Sequence, residues 1–256
     1  MIFAADIGNS NITIGLFNNE ELLEIFRLDS KTDFSVNDWE RELKNKIDCK
    51  NIKGCIISSV VDEITDNFKQ ACDNVFGLES LNVFAGMDLG INIKTKNPES
   101  IGADRLANVF GTLEYNLPVI VVDAGTAVTF DVVDKDKTFL GGIIMPGADV
   151  QLKSLYEKTS KLPRIKPKEI ETAIGYDTET CILSGVIRGI ACAIDGLITQ
   201  CEEELGEKAT IIGTGGQIEL ISKYMKRKIN YIDKNYTLKS LFGIYCKIRG
   251  INGKRF

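Results

Sequence analysis

The stretches IFAADIGNSNITIGLF, residues 2–17, and VIVVDAGTAVTFDVV, residues 119–133, decide the fold of this chain. In each, an apolar run reaches an aspartate (Asp6 or Asp123), passes a glycine and small polar residues, and continues as a second apolar run. Glycine lets backbone N–H groups approach a phosphate, and an aspartate before the turn can hold a divalent cation against that phosphate. Because one copy lies in each half of the chain, the pair predicts two similar halves that face each other across a nucleotide.

Both turns are predicted to be tips of β-hairpins. Ile12, Ile14 and Leu16 alternate with polar or small residues, which is the period of a strand. Rossmann and Walker loops instead need a helix to begin at the glycines. A phosphate loop at the tip of a β-hairpin, as expected here, resembles the loops of the actin, sugar-kinase and Hsp70 superfamily. For one copy alone a plain turn is the simpler explanation, since Asp, Gly and Asn are common in turns, but the pair favours the phosphate loop.

The composition bounds the class of protein. A chain of 256 residues with 44% apolar and 26% charged residues can bury a full core and is typical of soluble proteins. The first residues carry no basic region, and no apolar run reaches the roughly 20 residues that span a bilayer, so we expect a cytoplasmic protein without a signal peptide or membrane contact. A net charge of -5 argues against a nucleic-acid partner, although residues 223–256 are basic.

Histidine is absent from the chain, which excludes several kinds of site. Ser-His-Asp and Cys-His catalysis and histidine-ligated zinc are impossible without it. A general base must therefore be a carboxylate, lysine, tyrosine or cysteine. The seven cysteines form no Cys-x-x-Cys pair, and their apolar neighbours predict buried free thiols.

The rest of the chain predicts an α/β protein of two domains, residues 1–115 and 116–256, with the boundary near the turn at 114–118. Apolar periodicity predicts a long helix over 178–205, whose buried stripe is Ile187, Ile190, Ile194, Leu197 and Cys201. The same criteria predict further strands at 21–30, 52–61, 81–86 and 138–147, and further helices at 37–46, 63–77 and 148–158.

The segment SIGADRLANV, residues 100–109, predicts a helix capped by Ser100 with Asp104 and Arg105 in its first turn. Asp104 could simply complement the positive end of the helix. Beside a phosphate site, however, an aspartate can accept the proton of an attacking hydroxyl, and arginine can bind a carboxylate with two parallel hydrogen bonds. We favour the functional explanation for this pair.

Four segments together, DIGNSNITIG, GADRLANV, DAGTAVTFD and GGIIMPG, resemble type III pantothenate kinase, the first enzyme of coenzyme A synthesis. KLPRI, IGYDT and GTGG, further along the chain, also resemble that family. The resemblance implies duplicated ribonuclease-H-like domains with a cleft between them. It also implies a homodimer whose active site lies at the subunit interface, and transfer of phosphate from ATP to pantothenate.

The resemblance implies a role for each matching residue. Asp104 would be the catalytic base. The other pantothenate-binding residues would be Gly102, Ala103, Arg105 and, from the partner subunit, Thr178. The ATP phosphates would be bound by Asp6, Gly8, Asn9, Ser10, Asn11, Gly125 and Thr126. Asp6 would hold Mg²⁺, and Asp123 a monovalent cation, potassium or ammonium.

One position departs from the family, because Thr95 stands where its members often have a tyrosine that helps close the pantothenate pocket. Two other functions stay open: a regulatory homologue without kinase activity, and a kinase for another small acceptor such as a sugar or acetate. A regulator would be expected to lose Asp6, Asp104 or Asp123, and all three are present.

Overall fold

The computed structural model describes residues 1–251, which form two compact units. The first unit contains Met1–Glu114 and the chain from Tyr236 onward, and the second contains Tyr115–Asn235. The last residues of the predicted second domain and of the basic segment, 252–256, lie outside the described residues.

Five strands form the sheet of the first unit: β1 (Ile2–Ile7), β2 (Asn11–Asn18), β3 (Glu21–Asp29), β4 (Gly54–Ser59) and β5 (Leu81–Asn82). Their order across the sheet is β3-β2-β1-β4-β5. β1 is antiparallel to β2 and parallel to β4, so the predicted hairpin is confirmed and is extended on its other side by a parallel strand. A short strand, β6 (Asn92–Ile93), follows later in the chain.

Three helices of the first unit follow these strands: α1 (Val36–Lys46), α2 (Asp62–Phe76) and α3 (Ala103–Gly111). α1 begins at a capping box in which Ser35 and Asp38 bind each other's backbone N–H groups. α2 ends at Gly77 in the left-handed conformation, as its sequence predicts. α1 and α2 pack with Ile7, Ile12 and Ile14 in one core, and α3 packs against the opposite face of the sheet.

The sheet of the second unit repeats this arrangement with β7 (Val119–Ala124), β8 (Ala127–Val133), β9 (Thr138–Pro146), β10 (Thr210–Thr214) and β11 (Tyr231–Ile232). Within the unit their order is β9-β8-β7-β10-β11. β7 is antiparallel to β8 and parallel to β10, as β1 is to β2 and β4. The duplication expected from the two aspartate hairpins is therefore present in the strand order.

The helices of the second unit are α4 (Ala148–Lys158), α5 (Thr178–Leu183), α6 (Gly189–Leu205) and α7 (Ile218–Ser222). A π-helical turn, Ser184–Arg188, joins α5 to α6, so the predicted long helix is continuous but locally widened. Among residues 1–251 this stretch, Thr178–Leu205, is the one helix whose length and composition would allow it to cross a membrane. Ile187, Ile190 and Ile194 are buried on it, as the apolar stripe predicts for a core helix.

The last helix, α8 (Tyr236–Arg249), packs in the first unit, which differs from the expected domain of residues 116–256. Phe242 stacks on Phe17 with ring centres 4.7 Å apart, and Thr237 Oγ1 donates to Asn108 Oδ1 over 2.8 Å. The apolar side chains of α8 share a core with β1, β4 and α3.

Three local predictions differ from the structure. The strand expected at 81–86 ends at Asn82, before a turn in which Gly86 has φ +102. Ser100 does not cap α3; it lies in a 3₁₀ turn and donates to Asn97 O, and the helix begins after Gly102 without a side-chain cap. Cys181 and Cys192 are exposed, although all seven cysteines are free.

Candidate active site

The first aspartate hairpin forms a fixed turn with exposed side chains. Asp6 is half-buried at the end of β1. The Gly8 N–H donates to Asn11 O over 3.0 Å, and Ser30 Oγ donates to Gly8 O over 2.5 Å. Residues 9–11 are exposed at the tip. These two hydrogen bonds fix the backbone of the turn, and the exposed side of the turn is accessible to a ligand.

Ser58 lies beside Asp6 at the end of the neighbouring parallel strand. The two residues are paired across β1 and β4, so their side chains leave the sheet on the same face. Ala4 and Ile56, on that face, pack against Ala103 of α3. Ser58 is fully buried, and its hydroxyl has no hydrogen-bond partner in the described part of the chain. A buried hydroxyl of this kind is uncommon and was not predicted from the sequence.

Asp104 lies where the start of α3 meets the end of β4. A methyl group at Gly102 would lie 3.2 Å from Val60 Cγ1 and 2.5 Å from Asp104 Oδ1, which shows how closely the three residues pack. Val60 follows β4 and donates its N–H to Ile7 O over 3.1 Å. The first unit thus brings Asp104 to the same end of the sheet as Asp6, Ser58 and the turn at residues 8–11.

Asp104 is held in a setting that makes its carboxylate more basic. Burial raises its pKa above the ordinary aspartate value, because a charged carboxylate is less well solvated there. The Arg105 N–H, which donates to Asp104 Oδ1 over 2.7 Å, and the Arg105 charge act in the opposite direction without cancelling the effect. A raised pKa suits a group that must accept a proton near neutral pH.

The second aspartate hairpin is packed between two glycines. Asp123, half-buried at the end of β7, pairs with Thr214 at the end of β10. The chain then turns at Gly215, with φ +89, where a methyl group would lie 2.6 Å from the carbonyl carbon and oxygen of Ala124. No residue with a side chain could make this approach without displacing the backbone. The GTGG segment is therefore needed to bring the backbone against Asp123.

Gly147 makes the corresponding approach on the other side of the turn. It precedes α4 and donates its N–H to Thr126 O over 3.0 Å, and a methyl group on it would lie 2.6 Å from that same oxygen. Gly125 and Thr126 lie between the two glycines. Neither Gly147 nor Gly215 is among the predicted site residues, although GGIIMPG and GTGG had marked their segments.

The predicted residues fall into three groups. The first group lies in the first unit and has nine members: Asp6, Gly8, Asn9, Ser10, Asn11, Gly102, Ala103, Asp104 and Arg105. Asp123, Gly125 and Thr126 form the hairpin of the second unit. Thr178 is exposed at the first position of α5, after the capping residue Asp177, and forms a third group.

Thr95 is half-buried in the first unit. Its Oγ1 is inaccessible to solvent and has no hydrogen-bond partner among residues 1–251. Nothing in its contacts explains a hydroxyl at this position.

Comparison with known proteins gives one family and a common fold. The model of the family described as type III pantothenate kinase matches residues 2–200. A Campylobacter jejuni structure, assigned by its name to the Baf family of transcriptional activators, matches with a TM-score of 0.64 and 20% identity over 97% of this chain and 99% of that one.

Two further structures are similar. Component A of (R)-2-hydroxyglutaryl-CoA dehydratase from Acidaminococcus fermentans has a TM-score of 0.53 and 13% identity, covering 98% of this chain and 100% of the other. A ROK family protein from Streptococcus pneumoniae, in complex with sucrose, has a TM-score of 0.50 and 10% identity, covering 97% and 99%. At these identities the likeness is one of fold alone. The predicted α/β fold of two similar ribonuclease-H-like domains is confirmed.

Proposed function

Since the chain belongs to the type III pantothenate kinase family, we propose that it transfers the γ-phosphoryl group of ATP to the primary hydroxyl of pantothenate, the first step of coenzyme A synthesis. The bond between the γ-phosphorus and its bridging oxygen breaks, a bond to the hydroxyl oxygen forms, and ADP leaves. The observation that carries the proposal is the position of Asp104, a carboxylate of raised pKa at the end of the sheet that also bears Asp6.

Asp104 accepts the proton of the pantothenate hydroxyl as the oxygen attacks phosphorus. Gly102 and Ala103 let the substrate approach the start of α3, and Arg105 binds its carboxylate. Arginine suits this contact because its planar guanidinium can donate two parallel hydrogen bonds. The transition state is loose and strongly anionic, so positioning and charge neutralisation supply most of the acceleration.

The phosphates bind at the first hairpin. Gly8, Asn9, Ser10 and Asn11 present backbone and side-chain donors at its open tip, and Asp6 holds Mg²⁺ that arrives with ATP. Residues 1–251 contain no cluster of three or more His, Cys, Asp or Glu side chains that could form an all-protein metal cage. A single carboxylate next to Ser58 fits Mg²⁺, which usually takes one or two carboxylates and completes its shell with phosphate and water. Bound there, it would neutralise phosphate charge.

Asp123 is proposed to hold a monovalent cation, potassium or ammonium. Its carboxylate lies against the Gly215 turn and near the carbonyl oxygen of Ala124. Such oxygen donors suit a weakly hydrated cation, which would offset phosphate charge beside Gly125 and Thr126. Asp123→Asn and a potassium titration test this assignment.

A homodimer is proposed from the exposed face of the long helix. Small residues recur there at intervals of three or four positions: Cys181, Gly185, Gly189, Cys192 and Gly196. Side chains added at the three glycines would meet no atom within 4 Å among the described residues, so contacts within the chain do not account for them. Small residues permit the close approach of another helix.

The same dimer would bring Thr178 of one subunit to the pantothenate site of the other. Asp104→Ala and Thr178→Trp proteins, each inactive, would regain about one quarter of wild-type sites when mixed through reversible unfolding, because half the dimers are mixed and each has one intact site. Verified heterodimers without activity would show that each chain carries its own complete site.

A regulator without kinase activity is the second candidate, because the Campylobacter jejuni structure carries the name of a transcriptional activator. The presence of Asp6, Asp104 and Asp123 favours the enzyme. A small-molecule kinase with another acceptor is the third. The proposed enzyme would be cytoplasmic, without a nucleic-acid or membrane partner.

One experiment separates these candidates. ADP release by the purified protein is measured with pantothenate, with hexoses and with acetate, each with and without potassium. ADP release with pantothenate but with no other acceptor supports the proposal. ADP release only with a hexose or only with acetate identifies a kinase for another acceptor. No turnover with any acceptor, from a protein that is folded and dimeric, supports the regulator.

A further inference from the structure

The loop that precedes α5 is held along its length by side chains from the rest of the second unit. We call residues 169–177 the anchored loop. It contains no helix or strand, and it delivers the chain to Thr178. An exposed loop without such contacts would be mobile.

Tyr224 and Arg188 bind the first half of the anchored loop. The Tyr224 hydroxyl accepts from the Ile170 N–H over 2.8 Å and donates to the Ile170 carbonyl over 3.0 Å, which fixes both polar groups of that residue. Arg188 donates from Nη2 to Glu171 O over 3.1 Å, and its guanidinium lies 4.5 Å from the centre of the Tyr224 ring. The stacked pair therefore acts on two consecutive residues of the loop.

The π-helical turn supplies two of the anchoring side chains. Ser184, its first residue, donates from Oγ to Ala173 O, and Arg188 is its last residue. π-Helical turns inside α-helices are rare and occur frequently at functional sites. Here the turn directs both side chains to the same loop.

The far end of the anchored loop is fixed to α5. Asp177 Oδ1 accepts from the Thr180 N–H over 2.7 Å, and Thr180 Oγ1 accepts from the Tyr176 N–H over 3.1 Å. A methyl group at Gly175 would lie 2.6 Å from Cys181 Cα, so the loop backbone lies directly on the first turn of the helix. Both ends of the loop are therefore held in place.

The tip between these anchors buries little. Ile174 is 87% exposed and Tyr176 is 82% exposed. Anchoring that served only stability would be expected to bury such large apolar side chains. Because it leaves them exposed, its effect is to fix the position of the loop and of the residue that follows it, Thr178.

We propose that Arg188 and Tyr224 are positioning residues for the acceptor: by fixing the anchored loop before substrate binds, they set the place of the Thr178 hydroxyl in the pantothenate site. This inference rests on the proposed function. Pre-ordering a binding element lowers the ordering cost of binding, so the pair should act on the affinity for pantothenate more than on that for ATP.

Tyr224→Phe tests the proposal, since it keeps the ring under Arg188 and removes only the hydroxyl. The matched control is Tyr231→Phe, the same change at an exposed tyrosine of the same unit. For the wild type and both variants, hydrogen exchange at residues 169–177 is measured without substrate. The KM for each substrate and kcat are then measured. Loss of the hydroxyl should speed exchange at Ile170 by about five-fold or more and raise KM for pantothenate by about three- to ten-fold, with KM for ATP within about two-fold.

Arg188→Lys is a second variant, which keeps a donor for Glu171 O but loses the planar stack, and it should show a smaller change of the same kind. Unchanged exchange in Tyr224→Phe would overturn the proposal. Faster exchange with unchanged KM for pantothenate, or with KM for both substrates raised equally, would overturn it as well. If the wild-type protein does not phosphorylate pantothenate, the proposed function and the acceptor role both fail. The hydrogen-exchange data need no substrate, so they still show whether Tyr224 holds the loop and keep the two failures apart.

Discussion

Asp104→Asn separates the proposed chemistry of Asp104 from its contribution to folding. Asparagine has the same shape and retains an oxygen that can accept from the Arg105 N–H, a contact of 2.7 Å in the wild type. It cannot act as a base. Turnover should fall by roughly 10²- to 10⁴-fold, the usual contribution of a positioned base, which corresponds to about 3–5 kcal/mol of activation free energy.

The same substitution should not destabilise the protein. Burial raises the pKa of Asp104, so the folded state binds its proton more tightly than the unfolded state does. The charged carboxylate therefore opposes folding once the pH exceeds its unfolded pKa of about 3.9, and the opposition is complete above the raised folded value. At pH 7 the free energy of unfolding of the variant should equal or exceed that of the wild type, and any excess should shrink as the pH falls through the raised folded pKa and disappear near the unfolded value of about 3.9.

Two measurements check this prediction: ADP release with saturating pantothenate and ATP, and urea unfolding at pH 7 and at lower pH. Asp66→Asn, at an exposed carboxylate of α2, is the control and should leave turnover unchanged. Turnover of Asp104→Asn within about five-fold of wild type would remove Asp104 from the base role, because a positioned base contributes more than that. A large loss of stability at pH 7 would refute the argument from burial.

Four further predictions concern other residues of the two hairpins and their surroundings. Gly102→Ala places a methyl group 2.5 Å from Asp104 Oδ1 at backbone angles that alanine accepts, so turnover should fall about ten-fold or more while urea unfolding changes by less than about 1 kcal/mol. Gly215→Ala forces a side chain onto a backbone at φ +89, and thermal unfolding should show a loss of about 1–3 kcal/mol. Thr95→Val removes a buried hydroxyl that has no partner in the described chain and should raise the free energy of unfolding by up to about 1 kcal/mol in urea. Asp123→Asn should weaken potassium activation without unfolding the protein, and an identical potassium titration would contradict the cation assignment.

The sequence predicted those features that leave a local pattern. Both hairpins were predictable because Asp6 and Asp123 stand between two apolar runs, and the place of Asp104 in the first turn of a helix because apolar residues recur at helical spacing after it. Ser58 and Gly147 were not, since their importance comes from residues far along the chain. The sequence around Ser58 shows only a hydroxyl at the end of a strand, and it does not show that the strand beside it carries Asp6.

The prediction that placed the last helix in the domain of residues 116–256 was wrong for the same reason. Its apolar stripe predicts a helix with one buried face but does not say which sheet that face covers. The contact that decides it is long-range: the Tyr245 ring fills the space where a side chain at Gly54 would be. The fixed conformation of the anchored loop could not be predicted either, because the side chains that hold it, Arg188 and Tyr224, lie elsewhere in the chain.

The return of α8 to the first unit has a consequence for synthesis on the ribosome. A chain emerges from its N-terminus, and domains made first usually fold first. Here β1 and β4 gain a whole layer of their core, with Leu241, Phe242 and Tyr245, only after the last helix has been made. The second unit, Tyr115–Asn235, is complete in sequence before that helix exists. We expect the later half of this protein to reach its native structure before the earlier half does.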